Sequence, residues 1–166
     1  MAPLLSIKNL SIQFNQDGES SAAVNNNSFD VAAGELVAVV GESGSGKSVT
    51  ALSILQLLPK QAQVSGEILF GHHEPVDLLK LSGKEINSIR GNKIAMIFQE
   101  PMTSLNPVFT CGYQVMEAIQ LHQKVSKATE KQKTIALFEK VKLPDPENLI
   151  ARFFMESNGF MHFIKT

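Results

Sequence analysis

Gly41, Gly46, Lys47 and Ser48 stand at the spacing glycine, four residues, glycine, lysine, serine, and Ser43, Gly44 and Ser45 between them are small. Glycines let a loop wrap closely with successive N–H groups turned inward. The result is an anion nest that continues into the positive end of a following helix. A lysine closing such a loop brings a mobile positive charge to the β- and γ-phosphates, and the neighbouring hydroxyl is a Mg²⁺ ligand. The chemistry implied is recognition of ATP through its triphosphate. With glycine near 7% of residues, a string of this kind arises by chance in roughly one chain in a hundred, so the flanking segments must support it.

A P-loop needs a strand before it and a helix after it. Leu36, Val37, Ala38, Val39 and Val40 form an unbroken apolar run, the pattern of a strand buried on both faces. Residues 49–58 carry apolar side chains on most of a helical surface until Pro59 stops them, which predicts a helix buried on nearly all sides. Upstream, 4–14 alternates loosely with an irregularity near Asn9, 15–21 has loop composition, and Phe29 and Val31 mark a short strand. Downstream, 66–71 reads as a strand, and Ser82 to Ile89 as a short helix with Glu85 three residues after its cap. Lys93 to Phe98 reads as a second buried strand. From 112 to about 141 the period is helical, with Ser126 as a cap between two helices and Pro144 and Pro146 ending the second.

A chain of 166 residues with 43% hydrophobic and 19% charged residues has enough apolar material for one globular core. Its 15 basic and 16 acidic residues, net charge -1, give no bulk electrostatic reason to expect nucleic acid or an anionic membrane as partner. Cys111 is the sole cysteine, so an intramolecular disulfide and a thiolate metal cluster are both excluded. The start, Met1-Ala2-Pro3-Leu4-Leu5-Ser6-Ile7-Lys8, lacks the features of a signal peptide. No apolar run approaches the roughly 20 residues needed to span a bilayer, and a soluble or peripheral protein is expected. His72-His73-Glu74 is a poor metal site because adjacent histidines project in different directions and no further ligand cluster accompanies them. His122 and His162 read as helix-surface and tail residues. Cys111 has no nearby basic residue to lower its pKa.

The loop Ser43-Gly44-Ser45-Gly46-Lys47-Ser48, followed later by Phe98-Gln99-Glu100-Pro101, resembles the nucleotide-binding subunits of ATP-binding cassette (ABC) transporters. The string Ala95-Met96-Ile97-Phe98-Gln99-Glu100-Pro101-Met102-Thr103-Ser104-Leu105-Asn106-Pro107 is similar to the branch that powers import of dipeptides, oligopeptides, glutathione and nickel. The resemblance covers about residues 4–152. It implies an α/β P-loop NTPase fold of ABC type, truncated, with an antiparallel β subdomain, a partial parallel core sheet and the start of a helical subdomain. The corresponding division is 1–111 for the nucleotide-binding core, 112–152 for the helical part and 153–166 for a divergent tail.

The same resemblance implies roles for individual residues. Phe14 matches the aromatic that stacks on adenine, and Val24 the position beside the nucleotide. Gly41, Glu42, Ser43, Gly44, Ser45, Gly46, Lys47 and Ser48 would bind the phosphates. Gln99 matches the glutamine that ligates Mg²⁺ with Ser48 and positions water. Residues 100–113 would face transmembrane permease subunits. A second ATPase subunit, identical or paralogous, would complete the dimer, and an external solute-binding protein would act indirectly. The implied location is cytoplasmic, peripheral on the inner face of the bacterial cell membrane. Reading Ile97-Phe98-Gln99-Glu100 as a Walker B strand fails, because Gln99 stands where that motif needs an aspartate.

The resemblance stops after Ala151-Arg152-Phe153. The family's Leu-Ser-Gly-Gly-Gln-like signature, Walker B aspartate, catalytic glutamate and switch histidine have no counterpart in the 166 residues. A chain without them lacks part of the transition-state charge stabilisation and the group that polarises water. Two readings follow: an ATPase subunit of a peptide-type importer represented by its N-terminal part, or a non-catalytic nucleotide-binding fragment. A nucleotide kinase or GTPase lacks support, since no guanine-reading or phosphate-acceptor motif is present. Strands missing downstream are expected to leave apolar edges exposed, with weak folding or aggregation of the chain alone.

Overall fold

The computed structural model describes residues 2–16, 19–98 and 105–153. The packing divides into two compact units, Met1–Ile94 and Ala95–Thr166, and the P-loop lies in the first. The functional division that the resemblance implies falls instead after residue 111.

The first unit is built on β1 (Leu5–Gln16), β2 (Glu19–Val31), β3 (Ala62–Phe70) and β4 (Val76–Asp77), which form one sheet in the order β2-β1-β3-β4. All neighbouring pairs are antiparallel. Ile7, Leu10 and Ile12 of β1 are buried with Val24, Ile68, Leu78, Ile86 and Ile89 in a single cluster. Inward side chains must change phase between Ile7 and Leu10, and the strand manages this with a kink. Asn9 takes φ 50, and the β1–β3 register shifts between Lys8 and Ser11. Gly66 faces the kink at φ +105, where a Cβ would lie 2.7 Å from the carbonyl oxygens of both Lys8 and Asn9. The irregularity expected near Asn9 is therefore present and depends on that glycine.

The strand β2 begins at Glu19, well before the short strand expected around Phe29. It is an edge strand whose polar side chains face solvent, so it lacks the alternation that betrays a half-buried strand. Helix α2 (Gly83–Ile89) forms as its capping box predicts: the Glu85 carboxylate accepts from the Ser82 N–H at 2.8 Å and from its hydroxyl at 2.6 Å.

Two expected strands differ. Residues 36–40 are irregular, with Leu36 96% and Val40 91% exposed. Residues 95–98 are irregular too, Ile97 is 96% exposed, and the nearest β interaction is a single parallel bridge from Arg90 to Ile94. The parallel portion of the core sheet is thus not formed among the described residues. The physical reason is that a two-face-buried strand is not locally determined; it exists only between neighbours that satisfy both edges. Helix α1 (Lys47–Ile54) is also shorter and less buried than its apolar composition suggests. Thr50 and Ser53 are its buried residues, Ala51 is exposed, and the helix ends before Pro59 can stop it.

The second unit contains α3 (Cys111–His122), α4 (Lys127–Lys140) and α5 (Pro146–Leu149). Thr110 caps α3 by accepting from the Tyr113 N–H, and Ser126 caps α4 by accepting from the Thr129 N–H. Cys111, Phe138, Leu143 and Leu149 make its core. Among the described residues, no helix is long and apolar enough to cross a membrane.

Candidate phosphate-binding site

The loop 41–48 gets its shape from two left-handed glycines, Gly44 at φ 82 and Gly46 at φ 86. A Cβ on Gly46 would lie 2.5 Å from the Ala23 carbonyl oxygen and 2.9 Å from Val24 Cγ2. The loop is therefore seated directly against β2 at a contact only glycine permits. The Ser45 N–H donates to Glu42 O at 3.2 Å, closing a turn, and the Thr50 N–H donates to Gly46 O at 2.8 Å, the first bond of α1. The N–H groups of Lys47, Ser48 and Val49 precede any intrahelical acceptor. Gly46 brings no side chain to cap them, and the first turn holds no acidic residue. The positive end of α1 is therefore met by no capping side chain and no acidic residue of its first turn.

Lys47 is folded over the loop. Its Nζ donates to Gly41 O at 2.7 Å, Glu42 O at 2.6 Å and Ser45 Oγ at 3.2 Å. Gly41 lies under the same turn, where a Cβ would meet Ser45 Oγ at 2.5 Å. These bonds hold the ammonium beside the backbone nest, and phosphate oxygens can replace neutral carbonyls with stronger charge-assisted bonds. Glu42, Ser43, Gly44, Ser45 and Ser48 are exposed, Lys47 is half-buried and Gly46 is buried. The cradle is anchored from beneath and open above, and the Ser48 hydroxyl stands in the first helical turn beside Lys47. These donors fit a triphosphate with its divalent cation.

Of the remaining predicted residues, the structure brings Val24 to the loop. It is buried and in contact distance of Gly46. Phe14 is half-buried in β1, opposite Ser21 of β2 and Ala62 of β3, and packs against the core cluster. Gln99 lies outside the described residues, as do 100–104 of the segment assigned to permease contact. In the described remainder of that segment, Phe109 and Tyr113 stack with ring centroids 5.0 Å apart. The Ala23 carbonyl under Gly46 was missed by sequence reasoning. A backbone contact carries no side-chain signal, and its only trace is the glycine opposite.

A family model described as ABC transporter matches residues 24–159. Over 95% of its length the chain is 48% identical to the peptidoglycan transport ATP-binding protein YejF of Agrobacterium fabrum, covering 29% of that protein. It is 43% identical to the dipeptide transport ATP-binding protein DppD of Haemophilus influenzae, and 44% identical to the oligopeptide transport ATP-binding protein OppD of Bacillus subtilis, covering 47% and 44% of them. The chain spans less than half the length of these curated relatives. In fold it is similar to the ATP-binding cassette MJ0796, solved as a dimer in a post-hydrolysis state with ADP and Pi, with a TM-score of 0.72 over 93% of this chain and 63% of that one, at 19% identity. With the family match spanning most of its residues and the P-loop geometry in place, this chain belongs to the ABC transporter family.

Proposed function

We propose that this chain binds Mg-ATP through 41–48 and contributes the P-loop side of the ATP site in an importer of peptides or related small solutes. The observation that carries the reading is the seating of Gly46 on Ala23. It presents the uncapped end of α1, Lys47 and the Ser48 hydroxyl at one exposed place. In this reading the free N–H groups of Lys47, Ser48 and Val49 bind the phosphate oxygens and Lys47 moves from Gly41 O and Glu42 O to the outer phosphates. The Ser48 hydroxyl and Gln99 hold Mg²⁺. Glu42, Ser43 and Ser45 line the loop, Val24 packs beside the nucleotide, and Phe14 offers its ring to adenine. The divalent ion would neutralise triphosphate charge; this chain's own residues orient that charge against the helix end.

Partners and place follow from the same proposal. Residues 100–113 would contact transmembrane permease subunits, and a second ATPase subunit would face the P-loop. A solute-binding protein would act from outside, and the chain would lie on the cytoplasmic face of the bacterial inner membrane. The names of the similar proteins support peptide-type solutes, and the near balance of charge gives nucleic acid no role. We further propose a helical subdomain at 112–152 and a divergent tail at 153–166.

A second reading is favoured by the sequence itself, which holds no signature, Walker B aspartate or switch histidine. By itself the chain would then bind nucleotide without turning it over. Titration of a fluorescent ATP analogue with Mg²⁺ into the purified chain, beside Lys47→Ala, tests the phosphate assignment. Equal affinity of the two proteins would refute it. Phosphate release above the Lys47→Ala background would refute the non-catalytic reading.

A further inference from the structure

The far end of the P-loop helix is held by residues to which the phosphate site owes no direct contact. Helix α1 has no basic residue in its last turn; the N–H groups of Gln56 and Leu57 turn back to Ser53 O at 3.0 Å and Leu52 O at 2.9 Å, and the Leu55 and Gln56 carbonyls just beyond the helix are met from elsewhere in the fold. The chain leaves the helix through Gln56 at φ 51, a left-handed conformation that side-chain-bearing residues rarely adopt and that persists only when its surroundings enforce it. Here they do. Gln56 Nε2 donates to Leu78 O at 2.5 Å and Leu81 O at 3.1 Å. Arg90 Nε donates to Leu55 O at 2.8 Å, and Arg90 Nη2 donates to Gln56 O at 2.8 Å. The third guanidinium nitrogen, Nη1, donates to Asn87 Oδ1 at 3.0 Å.

Arg90 is itself fixed. Its N–H closes α2 by donating to Ile86 O at 3.0 Å, and Ile86 and Ile89 of that helix are buried in the core. A planar fork reaching successive carbonyls does what a lysine ammonium cannot, and its charge complements the negative end of the α1 dipole.

We propose that Arg90 is a positioning residue for the phosphate cradle: it clamps the C-terminal end of the helix whose N-terminal end carries Lys47 and Ser48. Eight residues make a rod of about 12 Å. Gly46 fixes one end against β2 and Arg90 fixes the other against α2. With both ends held, the depth and tilt of the N–H groups facing the triphosphate are set before nucleotide arrives. Without the guanidinium, the turn at Gln56 keeps its local backbone bonds but loses its tie to α2, and the rod can pivot on Gly46. Small displacements of that kind are costly where several donors must converge on one ligand.

The inference rests on the phosphate-binding reading, and its test separates the two. The full chain and its Arg90→Met, Arg90→Lys and Lys47→Ala variants are titrated with fluorescent ATP plus Mg²⁺ and with the matching AMP analogue. A loss of folded protein lowers apparent binding of both nucleotides alike, whereas a misplaced cradle penalises the ligand with more phosphates. Arg90→Met is expected to weaken ATP binding about tenfold, the scale on which supporting residues around a site act, and AMP binding less than twofold. Arg90→Lys is expected to fall between, and carries the test if Arg90→Met folds poorly. An unchanged ratio of ATP to AMP affinity in the Arg90 variants, with ATP binding abolished by Lys47→Ala, would overturn the clamp alone. ATP binding that survives Lys47→Ala would overturn the phosphate reading and the clamp with it.

Discussion

Replacing Gly46 with alanine places a methyl group 2.5 Å from the Ala23 carbonyl oxygen and 2.9 Å from Val24 Cγ2, on a residue held at φ +86. Two costs can be worked separately. The left-handed conformation alone costs a residue with a Cβ about 1–2 kcal/mol. The steric part cannot be relieved by a rotamer change, because the nearest atom is backbone. Moving β2 away from the loop costs a further ~1–3 kcal/mol, the range for overpacking. Gly44→Ala isolates the first cost, since Gly44 has φ +82 and nothing within 4 Å of its hypothetical Cβ. The expected difference between the variants is about 2 kcal/mol, which for a unit of this size is about 10 °C in melting midpoint. Far-UV circular dichroism of the purified variants gives the comparison directly. Midpoints within about 2 °C of each other would show that the loop does not rest on β2, and the account of how the cradle is anchored would fall with it.

Gly112 supplies a prediction of sign. Glycine to alanine in a helix ordinarily gains about 1 kcal/mol, but a Cβ at Gly112 would lie 2.6 Å from Ile150 O and 2.8 Å from Ile150 Cα. Gly112→Ala should therefore speed amide exchange across α3 and α4, and slowed exchange would contradict the close approach. Asp77 supplies a pH dependence. Burial alone would raise its carboxyl pKa, but Lys80 Nζ at 2.9 Å and the N–H groups of Ile68 and Leu79 outweigh burial and hold it below the usual carboxylate range. A depressed folded value stabilises above the unfolded value near 4, and the contribution disappears as pH falls through the folded one. Asp77→Asn should cost about 1 kcal/mol at neutral pH, with the gap to the wild-type chain closing in urea titrations as the pH falls from the unfolded value through the lower folded one. A gap that persists there would refute the assignment.

What the sequence disclosed and what it hid divide along the range of the interactions. The P-loop, the Ser82–Glu85 capping box and the Ser126 cap are written in residues within one turn of each other, and each forms where its pattern places it. The kink at Asn9 was visible as a change in the phase of apolar residues. The extent of β2 was not, because an edge strand with an outward polar face has the composition of a loop. Residues 36–40 and 93–98 misled in the opposite direction. Their apolar runs state a preference for burial between two neighbours, and a preference does not supply the neighbours. Around the candidate site, Gly46 and Lys47 are legible, whereas the Ala23 carbonyl beneath the loop and the Arg90 fork at the far end of α1 are not, since each is a contact to backbone between residues distant in sequence.

The order of strands also has a kinetic meaning. Between β1 and β2 only residues 17 and 18 intervene, and this pair contributes the most extensive register in the unit. Hairpins with such short connections close on the microsecond scale, while the chain emerges from synthesis at about 5–20 residues per second. The local β1–β2 hairpin can therefore place the Ala23 carbonyl before the longer-range contact with Gly46 is made. A loop that cannot hold its own shape in isolation meets a template formed earlier in the same chain, so mutations that slow the β1–β2 hairpin should delay acquisition of nucleotide binding even when they lie far from any phosphate.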